Sequence, residues 1–249
     1  MSASSARQVA AIVQRELHSY FGTPLAYVFI VIFLMLSGVL TFFLGQWYER
    51  GQADLGPFFG FHPWLYLFLV SAIAMRLWAE ERRTGTLELL LTMPLGLAQA
   101  VLGKFLAAWL VVGAALLLTF PMWLTVNYLG EPDNGVILAG YLGSWILSGA
   151  FLAIGSCISA ATSNQVLAFI GTVVIGFVFV IAGFTPVTEF LKDAVPAGVI
   201  DALAGLSFLT RFEAIAKGVL DVRDVLFFLF TIAGWLVAAA IVIDMKKGG

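Results

Sequence analysis

The sequence predicts an all-α, polytopic membrane protein: six transmembrane helices, an N-terminal amphipathic interface helix, a short cytoplasmic helix, and short outer helices before the last span. Three observations predict it. Of the 249 residues, 61% are apolar and only 11% charged, with a mean hydropathy of +1.00, where soluble domains run at about 45–50% and about 25%. A chain of this length cannot bury such an excess within itself, so the excess faces lipid. Apolar runs of the roughly 20 residues that one helical crossing needs recur along the chain, and the charges collect between them. A soluble enzyme is thereby excluded. The net charge of −2 supplies no basic field for nucleic acid. The single cysteine, Cys157, lies in an apolar run and has no partner for an intramolecular disulfide.

The first element, about Ser5 to Phe21, is amphipathic. Val9, Ile12, Val13, Leu17, Tyr20 and Phe21 share one face at helical spacing, and Arg7, Gln14, Arg15 and His18 fall elsewhere. Such a helix can lie in the membrane interface with its apolar side down. Glu16 projects into the apolar arc, where a lone carboxylate is costly. Either a basic side chain from another segment meets it, or it reaches water at the helix end. The apolar run behind this helix exceeds the roughly 7–15 residues of a signal-peptide core, so the chain reads as mature.

The spans follow in order: about Leu25 to Leu44, about Phe58 to Trp78 with Arg76 snorkelling at its end, about Val101 to Tyr128, and about Val136 to Ala161. The stretch from Asn134 to Thr188 carries no charge, and the polar cluster Thr162-Ser163-Asn164-Gln165 supplies its break. A fifth span then covers about Val166 to Val187. The loop from Thr188 to Asp224 is too long for a simple turn. In it, Val199, Ala202, Leu203, Leu206, Leu209 and Phe212 give an apolar face to short helices at the outer surface. The last span, about Val225 to Ile243, stops at Asp244, Lys246 and Lys247. A single transmembrane domain thus covers residues 1–249: the interface helix (1–24), spans one to five (25–187), the outer loop (188–224), and the last span with its tail (225–249).

Alternating the loops puts Arg7, Arg15, Arg76, Arg82, Arg83, Lys104, Lys246 and Lys247 on one side, and Arg50, Lys192, Arg211, Lys217 and Arg223 on the other. The basic excess assigns the first side, with both termini, to the cytoplasm. Trp47, Tyr48, Trp64, Tyr66, Trp78, Trp123, Tyr128 and Trp145 lie near span ends, where amphipathic rings favour the interface. Small residues at four-residue spacing in the fourth span (Ser144 and Ser148, Gly149 and Ala153, Ser156 and Ala160) let helices approach closely.

No span carries Asp, Glu or Lys near its centre, which weakens a proton- or sodium-coupled carrier or a channel. His62 reads as an interfacial or packing histidine and His18 as solvated. There is no HExxH, no cysteine pair and no carboxylate pair at catalytic spacing. Gly103-Lys104 fails as a phosphate loop, because the preceding glycine is Gly96 and Phe105 replaces the hydroxyl residue. Energy for any work must come from another chain.

One inner segment remains, Glu80-Glu81-Arg82-Arg83-Thr84-Gly85-Thr86-Leu87-Glu88-Leu89-Leu90-Leu91-Thr92-Met93-Pro94. Dense charge precedes a glycine that permits a turn, and Thr86 can cap a short helix with Leu87, Leu90 and Leu91 on its apolar side. Pro94 and Gly96 end it. The pattern Glu80-x-Arg82-x-x-Gly85-Thr86-x-Glu88-x-Leu90 with Pro94 resembles the signature of ABC-2-type transporter permeases, nearest to the branch of the gliding-motility permease GldF. Arg15-Glu16-Leu17 with Tyr20-Phe21 and Pro24 resembles their entrance helix. Phe212-Glu213-x-Ile215-x-x-Gly218-Val219-x-Asp221-x-Arg223-Asp224 resembles their outer segment.

The resemblance implies a bacterial inner-membrane permease that hydrolyses nothing itself and exports a substrate. A separate cytoplasmic ATPase dimer, the expected holder of ATP and magnesium, drives it, and this chain holds no cofactor of its own. The resemblance makes Glu80, Glu81, Arg82, Arg83, Gly85, Thr86 and Glu88 the coupling elements, with Glu16 a partner for Arg82 or Arg83. It also implies a second permease, as homodimer or heterodimer, and allows a periplasmic accessory protein of GldG type. On the mechanical alternative, ATPase cycles work that outer partner and no substrate passes.

Overall fold

The computed structural model describes residues 3–87, 96–191 and 196–246, and within them the chain is helical with turns. Helix α1 (Ala3–Gly22) is the N-terminal amphipathic helix. Pro24 opens α2 (Pro24–Val39), which widens into a π-helical turn over Leu40–Leu44. Thr41 donates to the Ser37 carbonyl there at 2.6 Å, an acceptor that also takes the Leu40 N–H. A loop leads to α3 (Gly56–Gly60), α4 (His62–Ala74) and α5 (Arg76–Thr84). After the 88–95 stretch come α6 (Leu97–Leu117) and α7 (Phe120–Leu129), separated by a kink that Pro121 enforces. Tyr141 closes the kink, its hydroxyl donating to the Thr119 carbonyl at 3.2 Å.

Helix α8 (Asn134–Ala161) is the centre of the molecule, flanked by α4, α5, α6, by α9 (Gln165–Ile181) and by the last helices. Asp133 caps α8 by accepting from the Gly135 and Val136 N–H groups, and Asn164 caps α9 in the same way. The break therefore falls at the polar cluster 162–165. The segment expected at the outer surface folds into α10 (Thr185–Leu191), α11 (Ala197–Gly205) and α12 (Phe208–Ala216), and α13 (Val222–Met245) is the last described helix.

Among the described residues, four helical segments are long and apolar enough to cross a membrane: Pro24–Leu44, Leu97–Leu129, Asn134–Ala161 and Val222–Met245. Gln165–Ile181 is apolar but shorter. The expected second span is not one helix but α3, α4 and α5, divided at Phe61 and Met75. Its interior is protein: Tyr66, Val70, Ala74 and Trp78 are fully enclosed. Ser159 of α8 makes the Met75 break tolerable. It donates to the Met75 carbonyl at 2.9 Å and accepts from the Trp78 and Ala79 N–H groups at 3.0 Å, taking up donors that the interrupted helix leaves free.

All six small residues noted in the fourth span are buried. A methyl group added at Gly155 would lie 2.3 Å from Ala74 Cβ, so the Ala74 methyl of α4 rests on the α8 backbone. At Gly143 it would lie 2.5 Å from Ile215, and this brings α12 onto α8. The aromatic expectation divides. Tyr48 and Tyr128 are exposed, but Trp47, Tyr66 and Trp78 are buried because each finds an internal hydrogen-bond partner: the Asp54 carbonyl, Ser144 and Ser156.

The apolar face expected on the loop before the last helix divides. The loop's buried apolar residues among the described ones are Ile200 of α11 and Phe208, Phe212 and Ile215 of α12, with Ser207 capping α12. Val199, Leu203 and Leu206 are exposed. Arg211 pins the segment, reaching Asp224 at 2.5 Å and the Gly205 carbonyl at 2.8 Å, and stacking over Phe227. Charge is thus sorted to two ends. Arg15, Arg76, Lys104 and Lys246, whose ammonium meets the Ala161 carbonyl, mark one. Arg50, Asp54, Asp133 and Lys217 line a cleft of about 370 Å3 at the other.

Candidate functional site

The site forms where α1, α5 and α6 meet. Helix α1 lies along α6 because Gly103 leaves no side chain between them; a Cβ at 103 would sit 2.5 Å from Ile12. Gln99 donates to Ser5 at 2.9 Å farther along the same contact. The apolar face foreseen for this helix therefore packs on protein, with Val9, Ile12 and Tyr20 buried and Phe21 left exposed. Burial and the neighbouring Glu16 carboxylate both push the Tyr20 hydroxyl to higher pKa, keeping it neutral.

One residue beyond Gly103, Lys104 is 5% exposed. Its ammonium stands 2.5 Å from Glu81 Oε1, 3.3 Å from Glu16 Oε2 and 5.5 Å from the centre of the Trp78 ring. One cation thus ties α1 to α5 from the base of α6. The partner expected for Glu16 was Arg82 or Arg83; the structure gives it Lys104, with Arg15 at 2.7 Å on its other side. Helical rotation explains the correction. With Glu81 turned to Lys104, the side chain of residue 83 is carried about 200° round α5, and Arg83 is exposed. Arg83 instead stands 3.9 Å from Glu80, which takes a shorter 2.6 Å contact from Arg76. That hydrogen bond, with the Arg76, Arg83 and Lys104 charges and against some desolvation, holds the Glu80 carboxyl below its ordinary pKa.

Gly85 ends α5 in the left-handed region at φ 71°, its N–H bonding back to Arg82. Thr84 donates to the Glu80 carbonyl at 2.9 Å and Thr86 lies 3.0 Å from Thr84, so hydroxyls absorb the last carbonyls of α5. The expected capping residue Thr86 thus reaches backwards, to Thr84 and the Glu81 carbonyl. The chain is helical again at Thr86 and Leu87, and Leu87 is buried. Glu88, Leu90, Leu91 and Pro94 lie outside the described residues. Glu81 Oε2 and Arg82 Nε are buried with no hydrogen-bond partner among the described residues.

Two carboxylates converging on one buried ammonium form a charge lock between helices. Mechanically they matter, because separating any of these helices strands a charge away from water. Lys104 is the residue that sequence reasoning undervalues. A lone lysine at the foot of an apolar run is the signal, and a charge count alone treats it as a surface residue. His62 is buried, the packing histidine of the two alternatives, with Nδ1 2.8 Å from Ser144 Oγ and Phe58 and Phe59 edge-on.

The class of protein so defined is a multi-pass helical membrane protein with a charge-locked junction of three helices at one end. More particularly, residues 48–243 match the ABC-2 family transporter protein family, and the chain belongs to that family of transmembrane ABC transporter permeases, which are transport components rather than enzymes. The chain is 37% identical over 111 residues to a Pseudomonas aeruginosa protein described as the probable ABC transporter permease protein NosY. That similarity covers 41% of this chain and 40% of the relative's length.

Proposed function

We propose that the chain is the membrane subunit of an ABC-2-type exporter. It crosses the bacterial inner membrane six times with both termini in the cytoplasm, and a separate cytoplasmic ATPase dimer drives it. The α3–α5 segment and α9 supply the two crossings beyond the four long apolar segments. Glu16, Glu80, Glu81, Arg82, Arg83, Gly85, Thr86 and Glu88 form the surface on which the ATPase acts. Among relatives, the GldF-like branch remains the reading that the inner-loop residues favour.

The observation that carries this proposal is the Lys104 junction. An ATPase pressing on the exposed Arg83–Thr86 turn pushes on α5, and the ion pairs oblige α1 and α6 to follow, a rigid-body movement of packed elements. Ser159 joins α5 to α8, and Ile215 against Gly143 joins α8 to the outer helices. That chain of contacts suits export through a dimer of permeases, and it suits equally the working of an outer partner of GldG type.

The test is charge reversal at Arg82→Glu with Arg83→Glu in the permease–ATPase complex. Stimulation of ATP hydrolysis by the permease should fall about tenfold or more, the loss of one or two charge-assisted contacts, with membrane insertion unchanged. Full stimulation would refute the assignment of the surface.

A further inference from the structure

On the side of α1 away from the Lys104 junction, α1, α6 and α8 leave a cleft of about 500 Å3, within the range of about 300–1,000 Å3 typical of small-ligand sites. Its walls are Val13 and Leu17 of α1, Leu106 and Leu110 of α6, and the stacked pair Trp109 and Trp145, whose rings lie 4.3 Å apart. The cleft exists because of two alanines. Ile12 sets the separation of α1 from α6, and Ala6 and Ala10 on the adjoining strip of α1 bear only methyl groups that cannot fill the space.

Three features identify what fits. First, the lining is apolar apart from Gln14 and the Trp145 and Trp109 indoles, and it carries no acid. The Trp109 indole is already spent on the Trp145 carbonyl at 2.9 Å, so the floor asks for hydrocarbon. Second, Arg7 follows Gln14 by about 20° around the helix, on the solvent edge of the cleft. Arg7 is exposed and forms no ion pair among the described residues, whereas Arg15 is occupied by Glu16. Third, the depth agrees. Leu106 to Leu110 lie about 3–9 Å along α6 from Lys104, at 1.5 Å per residue, and an interfacial helix sinks its apolar side about 5–10 Å into the headgroup boundary. The cleft therefore stands where a phospholipid's upper acyl chain runs and its phosphate emerges.

We propose that this cleft is a binding site for one anionic phospholipid, with an acyl chain between α1 and α6 and the phosphate at Arg7. The lipid completes the packing of α1 on the side that protein leaves open, and the site stands independently of any ATPase coupling.

The purified full-length chain, reconstituted with a phosphatidylglycerol carrying a photoreactive acyl chain in a phosphatidylcholine background, provides the test. Crosslinks should concentrate in peptides covering residues 6–17 and 106–110. Ala10→Phe should abolish them by filling the cleft. Arg7→Glu, at an exposed position with no ion pair among the described residues, should lower labelling by at least about fivefold, the factor that one arginine contributes against an anionic lipid. It should leave labelling by the matching phosphatidylcholine probe unchanged. Three results would each overturn the proposal: labelling spread evenly over the apolar surfaces of α9 and α13, equal labelling of wild type and Arg7→Glu, and blockage of the cleft by a second copy or an ATPase subunit.

Discussion

Lys104 shows how one side chain can organise a junction that its own neighbourhood in sequence conceals. The amphipathic pattern of α1 is legible, and with it the anomaly of Glu16 in an apolar arc. The identity of its partner is not legible, because that depends on which helix Gly103 lets α1 approach. Breaking a buried ion pair on one side costs about 3–5 kcal/mol. Lys104→Met should therefore destabilise the protein by about 3 kcal/mol in detergent unfolding, and adding Glu81→Gln should recover part of the loss. Equal stability of wild type and Lys104→Met would show that the junction carries no load. Glu80 makes a smaller, pH-dependent contribution. Because its folded pKa is depressed, its stabilisation is present above the unfolded value of about 4.3 and disappears as pH falls through the lower folded value. It is half-exposed, so the stability difference between wild type and Glu80→Gln should be about 0.5 kcal/mol at neutral pH and vanish in acid, as urea titrations at stepped pH would record.

Elements read from hydropathy are right where a span is one long apolar run, and they fail where polar side chains repair the backbone. The first, third, fourth and last apolar runs appear as continuous or kinked helices. The second is cut at Met75, and only Ser159, far off in sequence, explains why the cut is stable. Likewise, of the apolar face expected on the loop before the last helix, Phe212 of α12 is the part that packs inward, beside Ile215 in the seat that Gly143 opens. Glycine at 103 makes the corresponding test for α1. Gly103→Val should force Ile12 away and release α1, costing about 1–3 kcal/mol. A cysteine placed at Ile12 should then label rapidly in the variant and slowly in the parent. Slow labelling in both would mean that α1 is held by something other than this close approach.

For the whole molecule, the sorting of charge into two ends was legible from the sequence, since it follows from which apolar runs lie between which charged residues. The order of helices around α8 was not, because small residues state that helices approach without stating which ones. Cysteines placed singly at Tyr48, Tyr128 and Lys217 should react with an impermeant reagent from one face of the membrane, and those at Arg83 and Lys246 from the other. A mixed pattern would break the six-crossing arrangement. The central claim, that the Arg83–Thr86 turn and the Lys104 junction receive force from an ATPase, is tested most directly by purifying the tagged chain in gentle detergent and identifying its companions. The account predicts recovery of an ABC ATPase, lost or greatly reduced when residues 80–87 are altered. Recovery of a stable chain alone, or of an ATPase indifferent to those changes, would contradict it.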